Sequence, residues 1–394
     1  MMQKQQCPKL QHPDIRGKQN FNRSMVPIRL HGDGCCITGR GRVWNKTADI
    51  FSWSSCMGKG KTKDLMYFIW CLYQVQRCTL DGHRTLPIFS SKLVWSFQAI
   101  WRGKHPETDS NGCLWILQND LDFGSDYYGM PRPNAANPCK DCNCGQPGSA
   151  NPMHDYRTTP PADWMLNMRS VAQHLLEDHF PHEWFTAPAV SPLSYSYDLM
   201  HCKYIGSDQY LYGSILHLMI TELLPDSPAE NLVKVIECMR LIYDDRGTRC
   251  RFRTLTPNMF KADLSGFPKL KGRAGEILGF GPVLRELWRH GMQNGVAWQQ
   301  TVLDTLDASC TIDELLHIHH DEFAFEGSTY ERFFTATSTY CQSMQSLYHQ
   351  GGLHAVWHIG YNSKWENPRL SWCWIGEDFM KVSRTLLFSG CKAV

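Results

Sequence analysis

Three acidic residues occur where the sequence predicts the ends of structural elements. Asp33 follows the strand-like run from Val26 to Leu30 and lies in the tetrapeptide His-Gly-Asp-Gly. Asp120 follows the apolar run from Cys113 to Leu117, and Glu377 lies in a helix-like segment further along the chain. Phosphodiester hydrolysis and strand transfer use two divalent cations roughly 3.5 to 4 Å apart. Carboxylates are hard oxygen ligands for Mg²⁺ or Mn²⁺. We therefore expect the three acids to form one catalytic metal site.

Neighbouring acids leave two of these assignments open. Asp122 and Asp126 are rivals of Asp120 for the second acid, and Asp122 has the same side-chain parity if the strand continues. Asp378 adjoins Glu377. The alternative for Asp33 is an ordinary turn residue, because aspartate is common in glycine-rich turns.

Glu377 shares one face of its predicted helix with Lys381 and Arg384, while Ile375 and Phe379 recur at the spacing of a core face. An acid beside two bases suits a metal site that faces phosphate. The alternative is a solvated Glu377–Lys381 pair, which contributes about 0.2 to 0.5 kcal/mol.

A second set of residues has the spacing of zinc ligands. Cys139 and Cys142 form a Cys-x-x-Cys pair directly after an Asn-Pro turn. His354 and His358 are four residues apart, so they lie one turn apart on one face of a helix. Two thiolates and two imidazoles make a tetrahedral zinc site, which would join distant parts of the chain.

The composition of the zinc set also has alternatives. A Cys-x-x-Cys pair in a chain with 17 cysteines is often incidental, and Cys144 could replace either thiol. The chain has further histidines that could serve as ligands: His317, His319, His320 and His349.

The pattern of apolar residues predicts the elements that position these groups. It predicts strands, then helices, then the strand before Asp120, an order that resembles the start of a ribonuclease-H-like sheet. The predicted strands are 26–30, 35–38, 48–55 and 113–117, and the predicted helices are 64–76 and 86–101. We expect an α/β fold with a ribonuclease-H-like mixed sheet and a large, mainly helical insertion before the last helix.

Domain limits follow from changes in composition. Residues 1–25 are polar and predict a loose N-terminal arm, and residues 26–142 form the first part of the core. A Gly/Pro/Asn-rich connection opens a helical insertion at 143–350, and 351–394 carry the histidine pair and the final catalytic helix. The helices predicted from residue 165 to 349 are 165–180, 208–224, 229–243, 281–292, 296–306 and 335–349.

Composition bounds the class of protein. A chain of 394 residues with 42% hydrophobic residues can bury a large core, and a net charge of +2 means that nucleic-acid binding would depend on local basic surface. Two such clusters are Lys59–Lys63 and Lys269–Arg273. The sequence opens without an apolar signal segment and has no apolar run of membrane-spanning length. We expect a reducing, intracellular location and no membrane partner.

The order of these motifs resembles the catalytic core of CACTA (En/Spm-type) transposases, which are distantly related to Transib elements and to the catalytic subunit of the V(D)J recombinase. The shared order is two aspartates, a Cys-x-x-Cys pair, an Asp-x-x-His motif, a histidine pair and a glutamate. The matching residues are Asp33 in HGDG, Asp120 in QNDLD, Cys139 and Cys142 in NPCKDC, Asp198 to His201 in YDLMHCKYIG, His354 and His358 in LHAVWH, and Glu377 in GEDFMK.

The resemblance implies a DDE-type transposase or transposase-derived nuclease that cuts and joins DNA by two-metal phosphoryl transfer. It implies catalytic Mg²⁺ or Mn²⁺ on the three acids and structural Zn²⁺ on the two cysteines and two histidines. The implied partners are DNA, as transposon ends and target, and a second copy of the chain in a homodimer. The implied location is the nucleus.

Two points stay open at this stage. Asp198 and His201 could orient DNA, support the active site or form hydrogen bonds inside the insertion. The alternative function is a catalytically inactive, transposon-derived protein that acts as a zinc-stabilised DNA- or protein-binding module. A further alternative for the function is an unrelated zinc-containing helical protein in which the acids are coincidental.

Overall fold

The computed structural model describes residues 7–38, 46–80, 83–103, 111–177, 182–261, 266–293, 295–348 and 353–390. The chain divides into two compact units. The first unit contains Met1–Met153, Asp163–Asp198 and Leu370–Val394, and the second contains His154–Ala162 and Leu199–Arg369. Residues 163–198, which the sequence analysis assigned to the insertion, thus belong to the first unit.

The first unit contains a five-stranded mixed sheet. The strands are β1 Val26–Thr38, β2 Lys46–Ser55, β3 Tyr67–Tyr73, β4 Gly112–Gln118 and β5 Tyr195–Ser196. Their order across the sheet is β3-β2-β1-β4-β5. The pairs β1–β2 and β2–β3 are antiparallel, and the pairs β1–β4 and β4–β5 are parallel. The predicted α/β class with a mixed sheet is confirmed.

Two predictions about local secondary structure are wrong. The runs 26–30 and 35–38 are one continuous strand, β1, rather than two strands joined by a turn at His-Gly-Asp-Gly. Position 32 of this strand requires glycine, because a side chain there would overlap the ring of Phe123. The predicted helix 64–76 is also absent. The chain forms one short helical turn and then β3, where Tyr67 and Phe68 are exposed at the edge of the sheet.

The remaining sequence is mainly helical. The α-helices are α1 Pro13–Gly17, α2 Phe21–Ser24, α3 Thr62–Leu65, α4 Thr85–Trp101, α5 Leu121–Tyr128, α6 Asp163–Leu166, α7 Val171–Glu177, α8 Asp208–Leu218, α9 Pro228–Asp245, α10 Ala274–Gly291, α11 Ala297–Ile318, α12 Gly327–Tyr348, α13 His354–Asn362 and α14 Trp374–Gly390. Shorter 3₁₀ or π turns are Pro8–Gln11, Gln74–Gln76, Glu183–Thr186, Pro192–Ser194, Met200–Ser207, Met219–Leu223, Pro257–Met259 and Pro368–Leu370. Many helices were predicted and many are present, but within the described residues the predicted helix 165–180 is two short helices, α6 and α7.

The core of the first unit forms where α4 and α5 cover one face of the sheet. The buried apolar residues of this core are Ile28, Leu30, Phe51, Leu93, Val94, Phe97, Leu114, Leu117, Phe123, Tyr127, Tyr128, Met130, Trp184, Ala187, Val190 and Tyr195. The N-terminal segment was expected to be a loose arm. Its residues 1–6 lie outside the described part of the chain, and its described residues form short helical turns in which Cys7 and Ile15 are buried.

The second unit encloses a charged network among its helices. Lys203 is fully buried, and its Nζ donates to Asp208 Oδ2 at 2.8 Å and to Asp313 Oδ1 at 3.1 Å. The hydroxyl of Tyr340 also donates to Asp208, at 2.8 Å. Because each charge has hydrogen-bonding partners, the cost of burying it is offset. Within the described residues no helix is long and apolar enough to cross a bilayer.

Candidate metal and active site

Asp33 lies on the face of β1 opposite the hydrophobic core. Successive side chains of a strand alternate between faces, so Arg29, His31 and Asp33 share one face while Leu30 points to the other. Leu30 and His31 are both buried, whereas Asp33 is half-buried. The carboxylate of Asp33 therefore lies beyond the buried part of this face, where it can meet a ligand.

Asp120 lies two residues past the end of β4 and is the N-cap of α5. Its Oδ1 accepts the backbone N–H of Phe123 at 2.7 Å, which is an N-cap hydrogen bond. The cap uses one carboxylate oxygen and leaves Oδ2 for another ligand. The whole of β4 is buried, so the end of a core strand fixes the position of Asp120.

The strand register relates the elements that carry the two aspartates. In the parallel pair of β1 and β4, His31 is opposite Gln118. Asp33 lies two residues after His31 within β1, and Asp120 lies two residues after Gln118, just past the end of β4. This relation could not be read from sequence spacing, because it depends on the pairing register.

Glu377 lies in the first turn of α14, which packs against β1. Asp33 and Glu377 line the same cavity of about 300 Å³, together with Cys35, Cys36 and Lys381. Lys381 Nζ donates to Asp378 at 2.7 Å. Lys381 therefore has an acidic partner at the next residue after Glu377, and it borders the same cavity as Asp33 and Glu377.

Gly376 allows the close approach of α14 to β1. A Cβ atom at position 376 would overlap the imidazole of His31, which is buried. We expect Gly376→Ala to lower the free energy of unfolding by about 1 to 3 kcal/mol, because neither element can move without disturbing the sheet. Denaturant unfolding measures this change. An unfolding free energy equal to that of the wild type would show that the contact is not close.

Asp198 supports the start of this helix. Its buried carboxylate accepts the backbone N–H of Cys373 at 3.0 Å, and Glu377 N donates to Cys373 O at 2.7 Å. Burial raises the pKa of the Cys373 thiol, and the negative charges of Asp198, Asp33 and Asp120 raise it further. One thiol is therefore within electrostatic reach of three of the acids singled out from the sequence. His201 belongs to the second unit.

The acids of the triad are more widely spaced than the thiols described below. Among the described residues, Asp33, Asp120 and Glu377 do not form a group whose ligand atoms all lie within 4.8 Å. A pair of cations roughly 3.5 to 4 Å apart, each about 2 Å from its ligands, can use carboxylates separated by up to roughly 8 Å. A two-cation site therefore does not require the three acids to lie within 4.8 Å of one another.

The rival acids make other contacts. Asp122 is largely exposed and accepts from Arg132 Nη1 at 2.9 Å, and Asp126 accepts from Arg132 Nη2 at 2.8 Å. Exposed ion pairs of this kind contribute little to stability. Asp378 is exposed and paired with Lys381. These contacts favour Asp120 over Asp122 and Glu377 over Asp378.

A cluster of thiols lies elsewhere in the first unit. The Sγ atoms of Cys139, Cys142 and Cys144 are buried and lie within 4.8 Å of one another. Burial raises the pKa of Cys142, and its contacts with Cys139 and Cys144 raise it further. Three thiolates this close repel one another, so a cation would stabilise the deprotonated cluster. The donor chemistry and the burial fit zinc.

The two predicted histidine ligands lie in α13 of the second unit. Both are buried, and their Nε2 atoms are 3.0 Å apart. Two nitrogens bound to one tetrahedral zinc ion are about 3.3 Å apart, from bond lengths of about 2.0 Å. The i, i+4 spacing thus produces the pair of ring nitrogens that the sequence predicted.

Cys139, Cys142 and Cys144 are buried thiols of the first unit that could hold a metal ion such as zinc. Cys139 and Cys142 are predicted ligands, and Cys144 is the alternative thiol of the motif Cys-x-x-Cys-x-Cys. The other candidate histidines lie on a surface turn, where His319 Nδ1 is 2.6 Å from Glu322 and His320 Nδ1 is 2.9 Å from His317 O. His349 lies outside the described residues.

No protein-family model matches this sequence, and no curated protein matches it. The function is therefore argued from the geometry of the site.

Proposed function

We propose that this chain is a DDE-type transposase or transposase-derived nuclease that cuts and joins DNA by phosphoryl transfer. Asp33, Asp120 and Glu377 are its catalytic acids. The observation that carries the proposal is the cavity that Asp33 and Glu377 line together, with Asp120 just past the end of the strand that pairs with β1. The resemblance of the motif order to CACTA transposases supplies the reaction class.

The sheet topology supports a ribonuclease-H-like core. Three antiparallel strands precede α4, and the two following strands run parallel to β1. This is the predicted succession of strands, helix and acid-bearing strand, followed by a mainly helical segment and a final helix with an acid. The fold assignment belongs to the same proposal as the activity.

Each residue of the site has a distinct role in this reaction. Asp33, Asp120 and Glu377 offer hard oxygen donors that suit Mg²⁺ or Mn²⁺. When bound, these cations would activate the attacking water or 3′-hydroxyl and stabilise the leaving oxygen. Lys381, on the wall of the cavity, favours the approach of a phosphate group. Asp198 is a positioning residue, because it holds the backbone that leads into the helix of Glu377.

The thiol cluster provides ligands for a structural zinc ion in this proposal. Zinc on Cys139, Cys142 and His354, with Cys144 or His358 as the fourth ligand, has the Cys/His composition of closed structural sites. The proposed partners are DNA and a second copy of the chain, and the proposed location is the nucleus. These follow from the substrate and from the resemblance.

One observation favours a second function, a catalytically inactive module with a zinc-stabilised fold. The three Sγ atoms of the thiol cluster lie within 4.8 Å of one another. Among the described residues, the ligand atoms of Asp33, Asp120 and Glu377 do not all lie that close together. A protein that had lost its catalytic metals would keep the first feature and tolerate drift in the second. Metal-dependent cleavage separates the two functions.

The neighbouring acids Asp120 and Asp122 give a sharp test of the active site. We expect Asp120→Asn to lower the rate of Mg²⁺- or Mn²⁺-dependent DNA cleavage at least about 100-fold, because an amide cannot replace a charged metal ligand. The fold should persist, because Asn caps a helix as well as Asp does. Nicking of supercoiled plasmid over time measures the rate.

Asp122→Asn is the matched control, because it removes one carboxylate from the same turn of α5. It should leave the cleavage rate within about twofold, since exposed pairs contribute little. The reverse ranking of the two variants would assign the second acid to Asp122. Equal activity of wild type and Asp120→Asn would contradict the proposed site, and no cleavage by the wild type would favour the inactive module.

A further inference from the structure

The hairpin of β2 and β3 carries an exposed surface that the catalytic site does not use. Trp53 and Tyr67 are 36% and 52% exposed. Lys61 and Lys63 lie in the connection between the two strands and are also exposed. We call these four residues the hairpin patch. Exposed aromatic residues that lie together are a candidate binding surface.

Two of the aromatic rings form a stack. Trp53 and Tyr67 are opposite each other in the antiparallel pair of β2 and β3. Their ring centroids are 4.9 Å apart and the ring planes meet at 26°. Among the described residues, Tyr67 makes this ring contact and no other. Since half of Tyr67 is exposed, the stack can extend by another planar group.

The lysines add positive charge to the connection of the same hairpin. Lys61 and Lys63 make no ion pair with any residue in the described ranges. Asp64 is the acid in the intervening turn, so the segment from Lys59 to Asp64 keeps a net positive charge of two, from three lysines and one aspartate. An anionic partner would find planar aromatic groups and unpaired ammonium groups on one hairpin.

An unpaired DNA strand matches both features of the hairpin patch. Exposed bases stack on aromatic side chains regardless of sequence, and the phosphates between them attract lysine. Duplex DNA satisfies only the second feature, because its bases are stacked inside the helix. A neutral or acidic protein partner would not need both the open ring stack and the lysines.

We propose that the hairpin patch binds a single-stranded segment of the DNA substrate through base stacking on Tyr67 and phosphate contacts to Lys61 and Lys63. This rests on the proposed function for the identity of the substrate. The patch lies outside the catalytic cavity, so it contributes affinity rather than chemistry. Strand cutting and joining expose unpaired DNA, which gives such a surface a use.

Fluorescence anisotropy with a labelled oligothymidylate of about 12 nucleotides and a duplex of equal length tests the proposal. We expect the single strand to bind more tightly. Tyr67→Ala should weaken single-strand binding about fivefold or more and duplex binding much less, while Tyr67→Phe retains the ring and the affinity. The double variant Lys61→Gln/Lys63→Gln should lower the salt slope by about 1.4, because each contact contributes about 0.7.

Trp95→Ala and Lys92→Gln are the controls. Trp95 is 66% exposed and Lys92 is exposed, both on α4 outside the patch. These variants should bind like the wild type. Unchanged single-strand binding by Tyr67→Ala, or an equal loss in Trp95→Ala, would overturn the proposal. So would a shift from dimer to monomer in Tyr67→Ala with DNA binding intact, since the patch would then be a protein contact.

Binding is measured without added divalent cation, so it does not depend on cleavage. A wild type that binds single strands through Tyr67 but never cleaves DNA would contradict the proposed function and leave the patch intact. If the wild type cleaved DNA but the Tyr67 variants bound single strands as tightly as the wild type, the proposed function would stand and the proposed role of the hairpin patch would be contradicted.

Discussion

Glu377→Gln is expected to abolish metal-dependent DNA cleavage, with a loss of at least about 1,000-fold. The substitution keeps the size of the side chain and removes the charge that binds a divalent cation. Cations at such sites contribute several kcal/mol to stabilising the transition state, and about 4 kcal/mol corresponds to this loss. The fold should be unaffected, because Glu377 is half-buried and its backbone N–H keeps the bond to Cys373.

Asp378→Asn is the control for this prediction. Asp378 is the next residue, is exposed and pairs with Lys381. Its loss removes the same charge from the same helix turn and should leave the cleavage rate within about twofold. Plasmid nicking and thermal unfolding of both variants measure activity and folding. If Glu377→Gln cleaved DNA as fast as the wild type, Glu377 would not be a catalytic metal ligand.

Cys142→Ser is expected to remove the bound zinc and to destabilise the protein by on the order of 5 kcal/mol. Cys142 is fully buried with two other thiols around it, and loss of a structural metal is among the few changes with effects of this size. Zinc per chain, measured by mass spectrometry of the metal, and denaturant unfolding give the two readouts.

Cys113→Ser is the matched control, because Cys113 is an equally buried thiol outside the cluster. It should retain zinc and lose less stability. The variants Cys144→Ser and His358→Gln then identify the fourth ligand, since the one that binds zinc weakly supplies it. Full zinc content in Cys142→Ser would show that the thiols are not a metal site.

The fold was predictable where one element has one strong pattern. The apolar run before Asp120 is a fully buried strand, and Trp374 to Lys381 begins a helix, both as predicted. The helices of the insertion were also predictable, because their apolar residues recur at helical spacing over many turns. Long amphipathic segments carry enough repeats to fix the period.

Two errors have the same physical cause, a tertiary contact that overrides a local signal. Glycines in His-Gly-Asp-Gly indicate a turn, but Gly32 is required beneath the ring of Phe123 inside a strand. The segment 64–76 is apolar enough for a helix, but it pairs with β2 as an edge strand. Phe123 is far from Gly32 in sequence, and local propensity does not show that residues 67–73 pair with β2, so neither contact could be predicted.

The candidate site was also predictable in part. Residue types and spacing identified the triad acids as candidates and also two of the three buried thiols, because metal ligands need particular atoms. The pairing of β1 with β4 and the role of Asp198 behind Cys373 depend on contacts between distant strands and loops. Whether Cys144 belongs to the thiol cluster could not be decided from the sequence, because its spacing from Cys142 was the only indication.

Anomalous diffraction from crystals of the protein soaked in a manganese salt tests the proposed active site most directly, because it locates bound Mn²⁺. We expect anomalous peaks within about 2.0 to 2.5 Å of carboxylate oxygens of Asp33, Asp120 and Glu377, and a zinc-edge signal at the thiol cluster. Their loss in Glu377→Gln crystals, with the zinc signal retained, would complete the result. Manganese bound elsewhere, with none at these three acids, would contradict the proposed active site.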